Sequence, residues 1–129
     1  MPHENLIEKA VNKLESAEYL FDGGYYEDAA SREYYAMYYG ARALLALQDI
    51  YPKTHSGLIQ KFGLQYVKEG YLDIMYGRAI AQAKDIRESA DYGVGIEISE
   101  EEAKDVIENA KSFFDKVQNV IKELSSNKK

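Results

Sequence analysis

Cysteine and tryptophan are absent from this chain, and proline occurs only at positions 2 and 52. Without cysteine there is no disulfide framework, no thiolate zinc site and no cysteine nucleophile, a profile that fits a reducing compartment. With so little proline, long stretches can run helical without interruption. No apolar run approaches the ~18 residues that span a bilayer. The opening MPHENLIEKAV begins an acidic amphipathic pattern, not a basic region followed by an apolar one. A secretory signal is therefore not expected, the chain reads as cytoplasmic, and no membrane association is expected. Basic charge is also short: 16 Lys and Arg against 22 Asp and Glu, a net charge of −6. Broad, sequence-independent binding of nucleic acid relies on the opposite balance. A small basic pocket on an acidic body is still compatible with these numbers.

Tyrosine is what the chain has in excess, 12 residues against four phenylalanines. A tyrosine can bury its ring while its hydroxyl finds a partner or water, which suits half-buried faces and interfaces.

The 129 residues read as one domain, with a core over about 5–122 and a frayed tail at 125–129. Five helices are expected. The first covers about 4–22, with apolar residues three or four apart, and ends at Gly23-Gly24. The second, about 25–50, is apolar on almost every side and rich in small residues, the pattern of a central helix. Tyr51-Pro52 breaks it. The third spans about 55–69 and the fourth about 71–91, separated near Gly70. The linker YGVGIEI follows as an extended loop against the bundle. Ser99-Glu100-Glu101-Glu102 is a capping box that opens the fifth helix. The fold class is all-α, an antiparallel bundle of four to five helices.

Three constellations could carry chemistry. In PKTHSG, Thr54 is a candidate N-cap that places His55 and Ser56 in a first helical turn, with Lys53 just outside. Free amides and the helix dipole there favour an anion and a neutral imidazole. The plainer alternative is a capped helix with a packed histidine. Arg32, Tyr35, Tyr39 and Arg42 follow at steps of three, four and three, on one helix face. They could stack bases and hold phosphates, or line a dimer seam. Arg87 and Asp91, four apart and followed by Tyr92, form either an ordinary helical ion pair or a phosphate-binding arginine held in place. No metal-ligating spacing, phosphate-cradling glycine loop or nucleophile elbow occurs, so neither a metal nor a cofactor is expected.

The order of SREYYAMYYGARALL, PKTHSGLIQKF, RESADYG and the capped SEEEAKDVIENAKSFFDKV, over about residues 5–122, resembles the small stand-alone HEPN domains. The resemblance implies a helical bundle, paired as a homodimer. It also implies a partner, a minimal nucleotidyltransferase, in a toxin–antitoxin-like system. Many members resemble metal-independent ribonucleases with an arginine, four to six residues, then a histidine. In some pairs the transferase silences the nuclease by modifying a nearby tyrosine. This sequence departs from that signature. Five residues after Arg87 stands Tyr92, and Arg42 precedes His55 by thirteen. No catalytic pair is carried over. Tyr92 is a candidate for modification by neighbourhood only. Three readings follow. The leading one is a binding and regulatory module for a nucleotide or RNA phosphate. The second is a metal-independent endoribonuclease that uses His55 and Arg87 if the fold brings them together. The third is a non-enzymatic helical scaffold.

Overall fold

The computed structural model describes residues 2–92 and 97–127, which leaves most of the expected YGVGIEI loop outside the described residues. The elements are α1 (Pro2–Asp22), α2 (Tyr26–Ala46), α3 (His55–Phe62), a π-helical turn (Gly63–Val67), α4 (Ile74–Tyr92) and α5 (Glu100–Asn127). No strand occurs among the described residues. The all-α bundle expected from the sequence is the fold observed.

Helix α2 is the hub, packed against α1, α3, α4 and α5. The sequence reason is its alanines: Ala29, Ala30, Ala36, Ala41 and Ala43 are buried. Ala10 and Ala17 of α1, with Ala103 and Ala110 of α5, are likewise fully enclosed. Small side chains on facing helices let the axes approach closely. Around this contact Tyr34, Leu44, Phe62, Ile80 and Phe113 fill the interior. Truncation of a residue such as Phe113 to alanine costs about 3–5 kcal/mol. Ile98, next to the Ser99 cap, packs with Ala30 and Ala103, so the end of the linker does lie against the bundle.

Helix ends follow hydrogen-bond accounting. After α1, Tyr25 N–H donates to Leu20 C=O (2.9 Å) and Gly24 N–H to Phe21 C=O (3.0 Å), with Gly24 at φ +85. Gly70 closes the π-helical segment in the same way, with φ +86. Ser99 behaves as the capping box predicts: its Oγ accepts from Glu102 N–H at 3.1 Å.

Three boundaries differ from expectation. Helix α2 stops at Ala46, not 50, because Asp49 takes a left-handed conformation (φ 57) that ends the helix before Pro52 does. The third helix does not run on to 69. Gly63, with a weak hold on α-helical geometry, opens a wider turn in which Lys68 N–H donates to Gly63 C=O at 2.8 Å. Helix α4 begins at Ile74, not 71, because the Asp73 carboxylate accepts from Met75 N–H at 3.0 Å. Helix α5 extends through Asn127, one turn beyond Leu124, which packs on the core.

Candidate functional site

Thr54 is extended (φ −125, ψ 157) and its Oγ1 accepts from Gly57 N–H at 2.9 Å, so it caps α3 as expected. The cap fixes His55 as the first residue of α3 and turns its half-buried ring onto α2. There the Tyr34 hydroxyl lies 2.6 Å from His55 Nδ1. The imidazole stacks on the Tyr38 ring, with centroids 4.4 Å apart and planes 23° from parallel. Tyr35 meets it edge-on at 6.0 Å.

Helix α4 brings Arg87 to the same rings. Its guanidinium carbon is 5.1 Å from the Tyr35 centroid and 5.8 Å from that of Tyr34. His55 and Arg87, distant in sequence, therefore share two tyrosines. Contacts of a guanidinium with a π face are favourable by about 0.5–2 kcal/mol, more when desolvated. One turn before Arg87, Lys84 forms an ion pair with Glu88 at 2.7 Å.

The electrostatics follow from this packing. Burial lowers the His55 pKa, and the charges of Arg87 and Lys84 lower it further against an opposing effect of Glu88. The imidazole is neutral near pH 7, as the sequence suggested, with burial as the main cause. Lys84 holds the Glu88 carboxyl below its ordinary range, first through their hydrogen bond. Burial pushes the Tyr34 phenol far above its usual value, so it keeps its proton.

The face read on α2 divides in two. Arg32, Tyr35 and Tyr39 line an open groove with Lys13 and Leu20 of α1. Lys9 stands 5.4 Å over the Tyr39 ring. Arg42, grouped with them by spacing, instead lies over Tyr38 at 5.8 Å, one turn back on its own helix. Tyr35 joins the halves, since it touches His55 and Arg87 and also borders the groove. Lys53 and Ser56 are exposed beside His55. Asp91 and Tyr92 belong to the last turn of α4, and their side chains lie outside the described residues.

Chemically the cluster is rich in N–H donors, from Arg87, Lys84, the imidazole and the amides of the α3 start, and it suits an anion. Among the described residues no three His, Asp or Glu side chains gather as a metal site would require. No described helix is long and apolar enough to cross a membrane. Sequence reasoning missed Tyr34 and Tyr38, the rings that hold His55. The available signal was their spacing of four in EYYAMYY, which marks one helix face but reads equally as core.

The HEPN domain family model matches residues 3–120. A protein of Methanocaldococcus jannaschii named "Putative toxin" is 41% identical over 119 residues, 92% of this chain and 88% of that protein. A second protein of that archaeon with the same description is 39% identical over 115 residues, 89% of this chain and 78% of its own. A UPF0332 protein of Thermotoga maritima is 31% identical over 125 residues, 94% of this chain and 95% of its own. The matched segment includes every residue of the α2, α3 and α4 cluster just described, and this chain belongs to the HEPN domain family.

Proposed function

We propose that this chain is the HEPN component of a toxin–antitoxin-like pair. It acts as a homodimer with a minimal nucleotidyltransferase as partner, and its α2–α3–α4 pocket binds a nucleotide or RNA phosphate. The observation that carries the phosphate reading is the convergence of His55 and Arg87 on the Tyr34 and Tyr35 rings. An acidic chain that sets Arg87 and Lys84, with Glu88, around the His55 helix start has a local site for negative charge. The names of the two archaeal relatives support the toxin–antitoxin setting. Thr54 and Ser56 add hydroxyls at the same turn. The groove of Arg32, Tyr35 and Tyr39 gives a longer ligand somewhere to continue, with rings for bases and cations for phosphates.

The test is thermal unfolding with and without AMP, ATP and a short single-stranded RNA, beside light scattering for the dimer mass. A ligand specific to the folded state raises the melting temperature. His55→Ala and Arg87→Ala are each expected to diminish the rise while leaving the dimer intact. Unchanged melting with every ligand would leave a scaffold with a capped helix.

One observation favours a second reading, a metal-independent endoribonuclease. A neutral imidazole packed near a guanidinium is the pairing that would take a 2′-hydroxyl proton and stabilise the phosphorane. EDTA-resistant cleavage of RNA that His55→Ala abolishes would establish it.

A further inference from the structure

The Tyr34 hydroxyl is fully buried, and among the described residues its hydrogen bond goes to His55 Nδ1 at 2.6 Å. A buried phenol O–H without an acceptor would bear its full desolvation cost. Among the described residues the groups around it are Tyr35 and Tyr38 from its own helix, His55 from α3, and Arg87 from α4, with Glu88 of α4 acting on it through its charge. A guanidinium accepts nothing. Among the described residues Nδ1 is the acceptor that Tyr34 hydrogen-bonds, the Glu88 carboxylate being bonded to Lys84, and burial keeps the proton on the phenol oxygen. A neutral imidazole has one N–H and one lone pair. If the lone pair is on Nδ1, the hydrogen is on Nε2.

We propose that Tyr34 is the positioning residue of this pocket. By donating to Nδ1 it fixes His55 as the Nε2–H tautomer, so His55 offers a phosphate ligand a hydrogen-bond donor and not a basic lone pair. This inference rests on the phosphate reading above and deepens it. Among the described residues the pocket is then rich in donors: His55 Nε2–H, the Arg87 guanidinium and the Lys84 ammonium, the last paired with the Glu88 carboxylate that also faces His55. Such a set fits the oxygens of a phosphate monoester or diester. A neutral donor keeps its bond to phosphate at pH values where an imidazolium would have lost its charge. Proton abstraction at Nε2 would need the other tautomer. Nδ1–H would then donate to Tyr34, and the buried phenol proton would lose its acceptor. The arrangement therefore suits holding a phosphate better than drawing a proton from a 2′-hydroxyl through His55.

The tautomer is read by long-range ¹H–¹⁵N correlation on histidine-labelled protein, with His3→Gln removing the only other histidine signal. Above the His55 titration the expected spectrum shows a bare Nδ1 and a protonated Nε2. Tyr34→Phe, which removes only the hydroxyl, is expected to give a mixture of tautomers while circular dichroism reports an intact fold. A protonated Nδ1 in the parent protein overturns the proposal. AMP is then the probe of the donor role. It should shift the Nε2–H signal, and its affinity should fall about tenfold in His55→Ala yet largely survive in His55→Gln, whose amide supplies a donor. Equal losses in the two His55 variants, or bound AMP with no Nε2–H shift, would overturn the donor role. Absence of AMP binding by the parent protein would instead sink the phosphate reading, and the tautomer spectrum would judge Tyr34 alone.

Discussion

Glu33 is fully buried, and among the described residues neither of its carboxyl oxygens has a hydrogen-bond partner. Its charged neighbours are Glu18 and Lys111, an ion pair at 2.7 Å that ties α1 to α5. Burial lifts the Glu33 pKa from 4.5 to about 9, Glu18 adds to the rise, and Lys111 opposes it. The side chain is therefore a neutral acid at pH 7. The folded state holds this proton more tightly than the unfolded chain does. Its contribution is thus fully present below about pH 4.5 and is lost as pH rises toward 9, at up to ~1.4 kcal/mol per unit. Glu33→Gln keeps the shape and removes the titration. Urea melts across pH should show the variant matching the parent near pH 5 and exceeding it on the alkaline side; parallel alkaline slopes would contradict the assignment. His55 has the opposite sign. Its lowered pKa means stability is full above the ordinary imidazole value and declines as pH falls below it. Nothing in SREYYAM announces a buried carboxyl, because a Glu between Arg and Tyr on an amphipathic helix reads as a surface charge. Burial of this kind is set by how α1 and α5 close over α2.

At the scale of elements, the end of α2 satisfies each of its last four carbonyls. Ala43 accepts from Leu47, Ala46 from Asp49, and Leu45 from both Gln48 and Ile50. Leu44 accepts from the buried Tyr66 hydroxyl, carried by the π-helical turn. Two substitutions separate the parts of this arrangement. Asp49 occupies a left-handed position that glycine adopts at less cost, so Asp49→Gly should raise stability by about 0.5–1 kcal/mol, seen as a higher thermal midpoint. Tyr66→Phe leaves the Leu44 carbonyl buried without its donor and should destabilise by about 1–3 kcal/mol in urea. A neutral outcome there would mean that water replaces the hydroxyl. Ends marked by glycine or by a serine capping box, at Gly24, Gly70 and Ser99, were legible in the sequence because those residues have local reasons to stop or start a helix. The end at Asp49 and the wide turn after Phe62 were not. Both depend on a donor or a conformation that the surrounding tertiary structure supplies.

For the whole molecule, the bundle and its central helix could be read from periodicity and alanine content, and the Thr54 cap from PKTHSG. The meeting of His55 with Arg87 could not, since it depends on how α3 and α4 pack across the Tyr34–Tyr35 surface of α2. The same packing sets Arg87 and Lys84 near His55, and Lys13 and Arg32 line the adjoining groove with Asp28, in a chain whose net charge is −6. If a single-stranded RNA enters at His55 and Arg87 and continues along Tyr35 and Tyr39, Arg32 neutralises a phosphate beyond the first nucleotide. Each such contact releases a counterion and adds about 0.7 to the slope of log affinity against log salt. Arg32→Ala should therefore flatten that slope for RNA by about this amount while leaving AMP binding unchanged, as measured by fluorescence anisotropy over a series of salt concentrations. A variant that lowers both affinities together would place Arg32 in the nucleotide pocket itself. One that alters neither, but weakens the dimer by light scattering, would assign the groove to the seam between two copies. Arg32 can discriminate these cases because it is exposed and separated from the core, so its removal changes charge without disturbing the fold.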